Sequence, residues 1–178
     1  MAEDDGTGRL GCTDCERIRP GRIAQPVNTV TSLGLVLAGG AIATLVRRRS
    51  DGRDAQVVAY GALVALTGLG SVAFHGPQPR GARVMHDAPI AAVLALTAVT
   101  PAVRRLRGLA AVPGWSRRRG VALAAIATAA GATYAGGRTS APTCRPDSLL
   151  QLHGAWHLLT AAAFTVAATI LYDPALRS

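Results

Sequence analysis

Lysine is absent from this 178-residue chain, and all 19 of its basic residues are arginine. Acidic residues number only 10, which leaves a formal net charge of +9. Aromatic residues make up 4% of the chain. With so few rings, the apolar mass is carried by Ala, Leu, Val and Gly. It reaches 49% of residues, with a mean hydropathy of +0.28. It is also gathered into blocks, which argues for a polytopic membrane protein rather than a soluble core. Small residues suit that class, because they let membrane helices approach closely. A basic chain invites a nucleic-acid reading. Here the arginines cluster between the apolar blocks, where topology signals belong, so no nucleic-acid partner is expected. The opening residues Met1 to Gly8 are acidic and polar, not a basic region followed by an apolar one. No cleavable signal peptide is therefore expected, and insertion would proceed through the chain's own helices.

The length is that of one domain. A polar N-terminal tail (1–26) precedes a membrane domain (27–171), and a short tail (172–178) closes the chain. Five apolar blocks divide the membrane domain: Val27 to Val46, Ala55 to Phe74, Met85 to Val103, Gly120 to Ala135, and Leu149 to Leu171. The expected fold is all-α, a bundle of about five transmembrane helices. The fourth block is the shortest relative to the roughly 20 residues a span needs. Pro101 is expected to kink or end the third helix. The linker from Leu109 to Trp115 is expected to span or to lie in the interface.

The arginine runs Arg47-Arg48-Arg49, Arg104-Arg105-Arg107 and Arg117-Arg118-Arg119 fall, with Arg53 and Arg177, on one side of such a bundle. That side is expected to be cytoplasmic, with the N-terminus outside and the C-terminus inside. His75 then ends the second block at its outer end. Asp87 starts the third block there, and His153 and His157 lie in the outer half of the fifth. Four ionisable groups distant in sequence thus fall in one leaflet, where such groups usually mark function.

His153 and His157 are four apart, so on a helix they share a face. Ser71 and His75 have the same spacing. Three imidazoles with one open position make a catalytic zinc site, in which bound water reaches a pKa of about 7. Asp87 would be the general base, and Ser71 would hydrogen-bond the water or the developing oxyanion. Blander accounts exist for each residue. A lone helix histidine packs, a His-x-x-x-His pair arises by chance, Ser71 is a small contact residue, and Asp87 caps a helix. Bis-histidine haem ligation is disfavoured by the short spacing within the fifth block. Asn28 and Ser32, one turn apart, read first as interhelical hydrogen-bonding residues and second as catalytic ones. His86, beside Asp87, reads as interfacial. Cys12, Cys15 and Cys144 all fall on the outer side. Either Cys15–Cys144 is a disulfide tying the tail to the loop before the fifth block, or all three are free thiols.

Gly70-Ser71-Val72-Ala73-Phe74-His75, then Met85-His86-Asp87-Ala88-Pro89, then His153-Gly154-Ala155-Trp156-His157 resemble the three motifs of the alkaline ceramidase family. That family belongs to a membrane hydrolase superfamily that includes adiponectin-receptor-like proteins. Cys15-Glu16, Ile23-Ala24-Gln25 and Asn28-Thr29-Val30 resemble the family's N-terminal region. The resemblance implies a zinc amidase of the cell membrane that cleaves the N-acyl bond of ceramide-like lipids. His75, His153 and His157 would be its zinc ligands, and Ser71 and Asp87 would contact the activated water. Two departures stand out. The family has seven helices where five blocks are present here. Gln25 also stands where an acid of the family's calcium site is expected, although Glu16 remains. The rival expectation, from a different class, is a receptor-like or scaffold membrane protein with a structural zinc site.

Overall fold

The computed structural model describes residues 9–49, 55–108 and 115–172. Five helices account for most of them: α1 (Pro26–Arg49), α2 (Ala55–His75), α3 (Ala82–Leu106), α4 (Arg117–Gly136) and α5 (Leu152–Tyr172). There are no strands among the described residues, only an isolated antiparallel bridge between Asp14 and Arg138. Four of the helices, α1, α2, α3 and α5, are long and apolar enough to cross a membrane. α4 is a full helix of 20 residues, but it opens on three arginines behind the N-cap Ser116, whose Oγ accepts from Arg119 N at 3.2 Å. The expected C-terminal tail, Arg53 and most of the Leu109–Trp115 linker lie outside the described residues.

Pro101 does not end α3, which runs on to Leu106 with both Pro89 and Pro101 inside it. α5 starts later than its apolar run. Gln151 Nε2 donates to Ser148 O at 2.7 Å, and Leu150 N donates to Ser148 Oγ at 3.0 Å, so a turn forms first. Leu149 and Leu150 are left exposed just ahead of the helix.

The main packing pairs are α1 with α2, α2 with α3, α1 with α5, and α5 with α4, and α5 makes lighter contacts with α2 and α3. α3 and α4 share no extended packing, so the bundle is open on that side. Glycines set the tightest approaches. A Cβ on Gly61 would lie 2.7 Å from Gly39 O, so those two glycines let α1 and α2 touch backbone to backbone. A Cβ on Gly70 would collide with the Met85 carbonyl, so only glycine lets the start of α3 close against α2 beside His75. Three of the large rings meet at the far end, where Tyr60 lies edge-on to Phe164 at 6.4 Å and 5.5 Å from Tyr172.

The N-terminal segment is a strap across the other end of the bundle, built into the fold by several fastenings. A disulfide joins Cys15 to Cys144, with Cα atoms 5.4 Å apart. Cys15 N donates to Gly137 O at 2.8 Å, and Thr139 N to Thr13 O at 3.0 Å. Gln25 N donates to His75 O at 2.8 Å. Glu16, 2% exposed, accepts from Val27 N and Asn28 N at 2.8 Å each and so caps the uncapped amides of α1.

Candidate metal centre

The end of α2 and the start of α5 meet under this strap. His75, His153 and His157 are all buried, and each offers a ring nitrogen within 4.8 Å of the others. Their ring centroids lie 4.9 to 5.2 Å apart. The i, i+4 spacing in α5 puts two rings on one face, and α2 runs antiparallel to bring the third to the same level.

The hydrogen bonds around the rings determine which nitrogen faces inward. Gln25 Nε2 donates to Gly11 O at 3.0 Å and to Glu16 O at 2.9 Å, which fixes the amide orientation. Its Oε1, 2.7 Å from His75 Nδ1, must then accept, so His75 carries its proton on Nδ1. Thr31 Oγ1 donates to Val27 O at 2.8 Å, and Ser32 Oγ to Asn28 O at 2.6 Å. Both hydroxyl protons are committed, so His157 Nδ1, at 3.1 and 3.3 Å from these oxygens, is the donor there. The Nε2 atoms of His75 and His157 are left as lone pairs. They are buried and have no hydrogen-bond partner among the described residues, and at His153 both Nδ1 and Nε2 are in that condition. Buried ring nitrogens crowded together without partners are costly, and a shared cation relieves one on each ring. The donor set fits a metal ion. Ring N–H groups held from behind are the usual support of metal-bound histidines.

His153 has a carboxylate behind it. Asp14 Oδ1 lies 3.4 Å from His153 Nδ1, Asp14 Oδ2 lies 4.0 Å from His75 Nδ1, and Arg138 Nη1 donates to Asp14 Oδ1 at 2.7 Å. Burial pushes the Asp14 carboxyl up to about 6, and Arg138 opposes that shift. Asp14 was not among the expected site residues. Its signal in the sequence was its place beside Cys15 and Glu16, but nothing there showed that the strap folds over α5. Gln25, noted only as a missing acid, and Thr31 are likewise part of the site.

Ser71 is 1% exposed, one turn from His75, and its Oγ has no partner among the described residues. Asp87 is placed differently from expectation. Its side chain is 61% exposed and pairs with His86 Nδ1 at 2.7 Å. Successive helix residues diverge by about 100°, so only one of the two can face inward. His86 is the one that does, with its ring centroid 6.2 Å from that of His75 and 4.5 Å from that of Phe74.

One cavity is lined by histidines, and a second lies next to it. A mouth of about 310 Å³ is lined by Asp14, His75, His86, His153, Arg138 and Trp156, among others. A second cavity of about 340 Å³ shares Ile90 and Trp156 with it. That cavity is mostly apolar and is walled by all five helices, with Leu94 of α3, Ala127 and Gly131 of α4, Phe164 of α5 and Ser71 of α2 in its lining. A metal centre at the junction of a polar mouth and an apolar slot can bind a molecule with one polar group on a hydrocarbon tail. Compared with family models, with curated proteins and with solved structures, the chain matches none.

Proposed function

We propose that this chain is a zinc-dependent hydrolase of the cell membrane that cleaves the N-acyl amide bond of a ceramide-like lipid. The observation that carries the reading is the set of three buried, unpartnered Nε2 atoms close to an apolar slot walled in part by α3 and α4. His75, His153 and His157 hold the metal. Zinc bound there supplies a Lewis acid for the carbonyl and lowers the pKa of water from 15.7 to about 7. Gln25, Thr31 with Ser32, and Asp14 hold the three rings in place from behind. Ser71 Oγ donates to the oxygen that gains charge. Asp87 acts through His86: it holds Nδ1, and Nε2 is the atom that takes a proton and returns it to the leaving amine. The acyl chain lies in the slot, which it reaches sideways from the bilayer. The arginine-rich end is cytoplasmic, the site lies in the outer leaflet, and α4 is a fifth, short span.

Fluorescent N-acyl lipids incubated with the protein in detergent test this. Free fatty acid is expected from the wild type and none from His153→Ala. Equal release by both would refute the assignment. The exposed position of Asp87 favours a second reading, a receptor-like or scaffold protein with structural zinc. It predicts bound zinc with no release from any lipid.

A further inference from the structure

Asn28 is 0% exposed, and neither Oδ1 nor Nδ2 of its amide has a hydrogen-bond partner among the described residues. Its backbone is occupied: Asn28 N donates to Glu16 and Asn28 O accepts from Ser32 Oγ. An unpaired buried amide is costly, and side chains of this kind are normally satisfied.

Its direction follows from the helix. Asn28 and Ser32, one turn apart, share a face of α1, and Gln25 immediately precedes the helix. Gln25 contacts His75 Nδ1 and Ser32 lies 3.3 Å from His157 Nδ1. Asn28 lies between them in the chain and one turn from Ser32, which puts it on the side of α1 turned toward the His75 and His157 rings, whose centroids are 5.2 Å apart. Gln25 and Ser32 address the outer nitrogens of those rings and are themselves paired. Asn28 is the member of this face with both polar atoms free, at the level where three Nε2 atoms are also free.

We propose that Asn28 is a further substrate-binding residue of the site: its Nδ2–H donates to the carbonyl oxygen of the scissile group, and its Oδ1 accepts from the attacking water. This rests on the hydrolase reading above. In the reaction, water oxygen adds to the carbonyl carbon, the C–N bond breaks, and one water proton passes to the leaving amine. The products are a carboxylic acid and an amine. The carbonyl oxygen gains negative charge as the carbon becomes tetrahedral, so a donor fixed beside it stabilises that state more than the ground state. Removing one such donor typically costs about 10²- to 10³-fold in kcat.

The test uses the full chain in detergent, loaded with zinc, and octanohydroxamate as the probe, because it presents a carbonyl oxygen to a metal at the end of an alkyl chain. Asn28→Leu and Asn28→Asp are compared with the wild type. The second variant keeps the shape and replaces the N–H donor by an acceptor. Both are expected to retain about one zinc per chain, to bind octanohydroxamate at least 10-fold more weakly, and to lose about 10²-fold or more in kcat with KM changed little. Hydroxamate affinity within twofold of wild type in Asn28→Asp, with zinc retained, would overturn the proposal. So would zinc loss from both variants, which would make Asn28 a support of the metal itself. If the wild type hydrolyses no N-acyl lipid but hydroxamate binding still falls in both variants, the hydrolase reading fails while the assignment of Asn28 as a ligand-binding residue stands.

Discussion

At the scale of single residues, the account depends on what stands behind each imidazole. Gln25 fixes the His75 tautomer because its own N–H groups are spent on Gly11 O and Glu16 O. Gln25→Leu removes that acceptor and leaves His75 free to turn or to change tautomer. Zinc affinity, read by competition with a chromophoric chelator, is expected to fall about 10- to 100-fold, as for other supports of metal-bound histidine. Unchanged affinity would mean that Gln25 merely fills space. The convergence of the three histidines was legible in the sequence, because spacing in α5 and the alternation of spans bring them to one end. Asp14 and Thr31 were not legible. Their nearness to His153 and His157 depends on how the strap folds and how α1 is rotated, and neither leaves a periodic trace. Asp87 shows a finer limit. The order of spans brought Asp87 to the site and left His86 as interfacial, but which of two adjacent residues faces inward depends on the rotation of α3, where Gly70 meets the Met85 carbonyl.

At the scale of elements, the strap and the α2–α3 contact position the site. Gly70→Ala forces a Cβ onto the Met85 carbonyl, so α3 must shift. A loss of about 1–3 kcal/mol is expected, as for overpacked cores. It should appear as a lower melting temperature in detergent, together with reduced turnover, because His86 moves with α3. A melting temperature equal to wild type would show that α3 yields freely. The Cys15–Cys144 disulfide closes a separation of 129 residues and lies next to both Asp14 and the loop before α5. Cys144→Ser should release the strap and raise the rate of proteolysis near Arg17 and Arg19. It should also weaken zinc binding, since Asp14 and Gln25 are both carried on that segment. Helix existence was read well from apolar blocks. Helix ends were read less well, as at Leu149, because the turn built by Ser148 and Gln151 competes with the apolar run.

At the scale of the whole molecule, the open side between α3 and α4 is the feature that apolar blocks alone did not reveal. Block lengths report spans, but which helices touch depends on small residues scattered along them, such as Gly39, Gly61 and Gly70. The slot can be narrowed without a clash at the backbone, because a Cβ on Gly131 meets nothing within 4 Å. Gly131→Leu is expected to lower kcat/KM for long-chain N-acyl lipids severalfold more than for short-chain ones. Equal effects on both would remove the slot from the substrate path. Four helices capable of crossing a membrane also predict that the protein stays in the pellet when membranes are washed at alkaline pH.

The central claim is that His75, His153 and His157 share one divalent ion. Zinc bound per chain, measured on purified wild type and on His157→Ala after identical loading and washing, tests it most directly. The account predicts about one zinc per wild-type chain and less than about one-tenth in the variant, since a three-ligand site does not survive with two. Equal zinc in the two proteins, or none in the wild type, would contradict it.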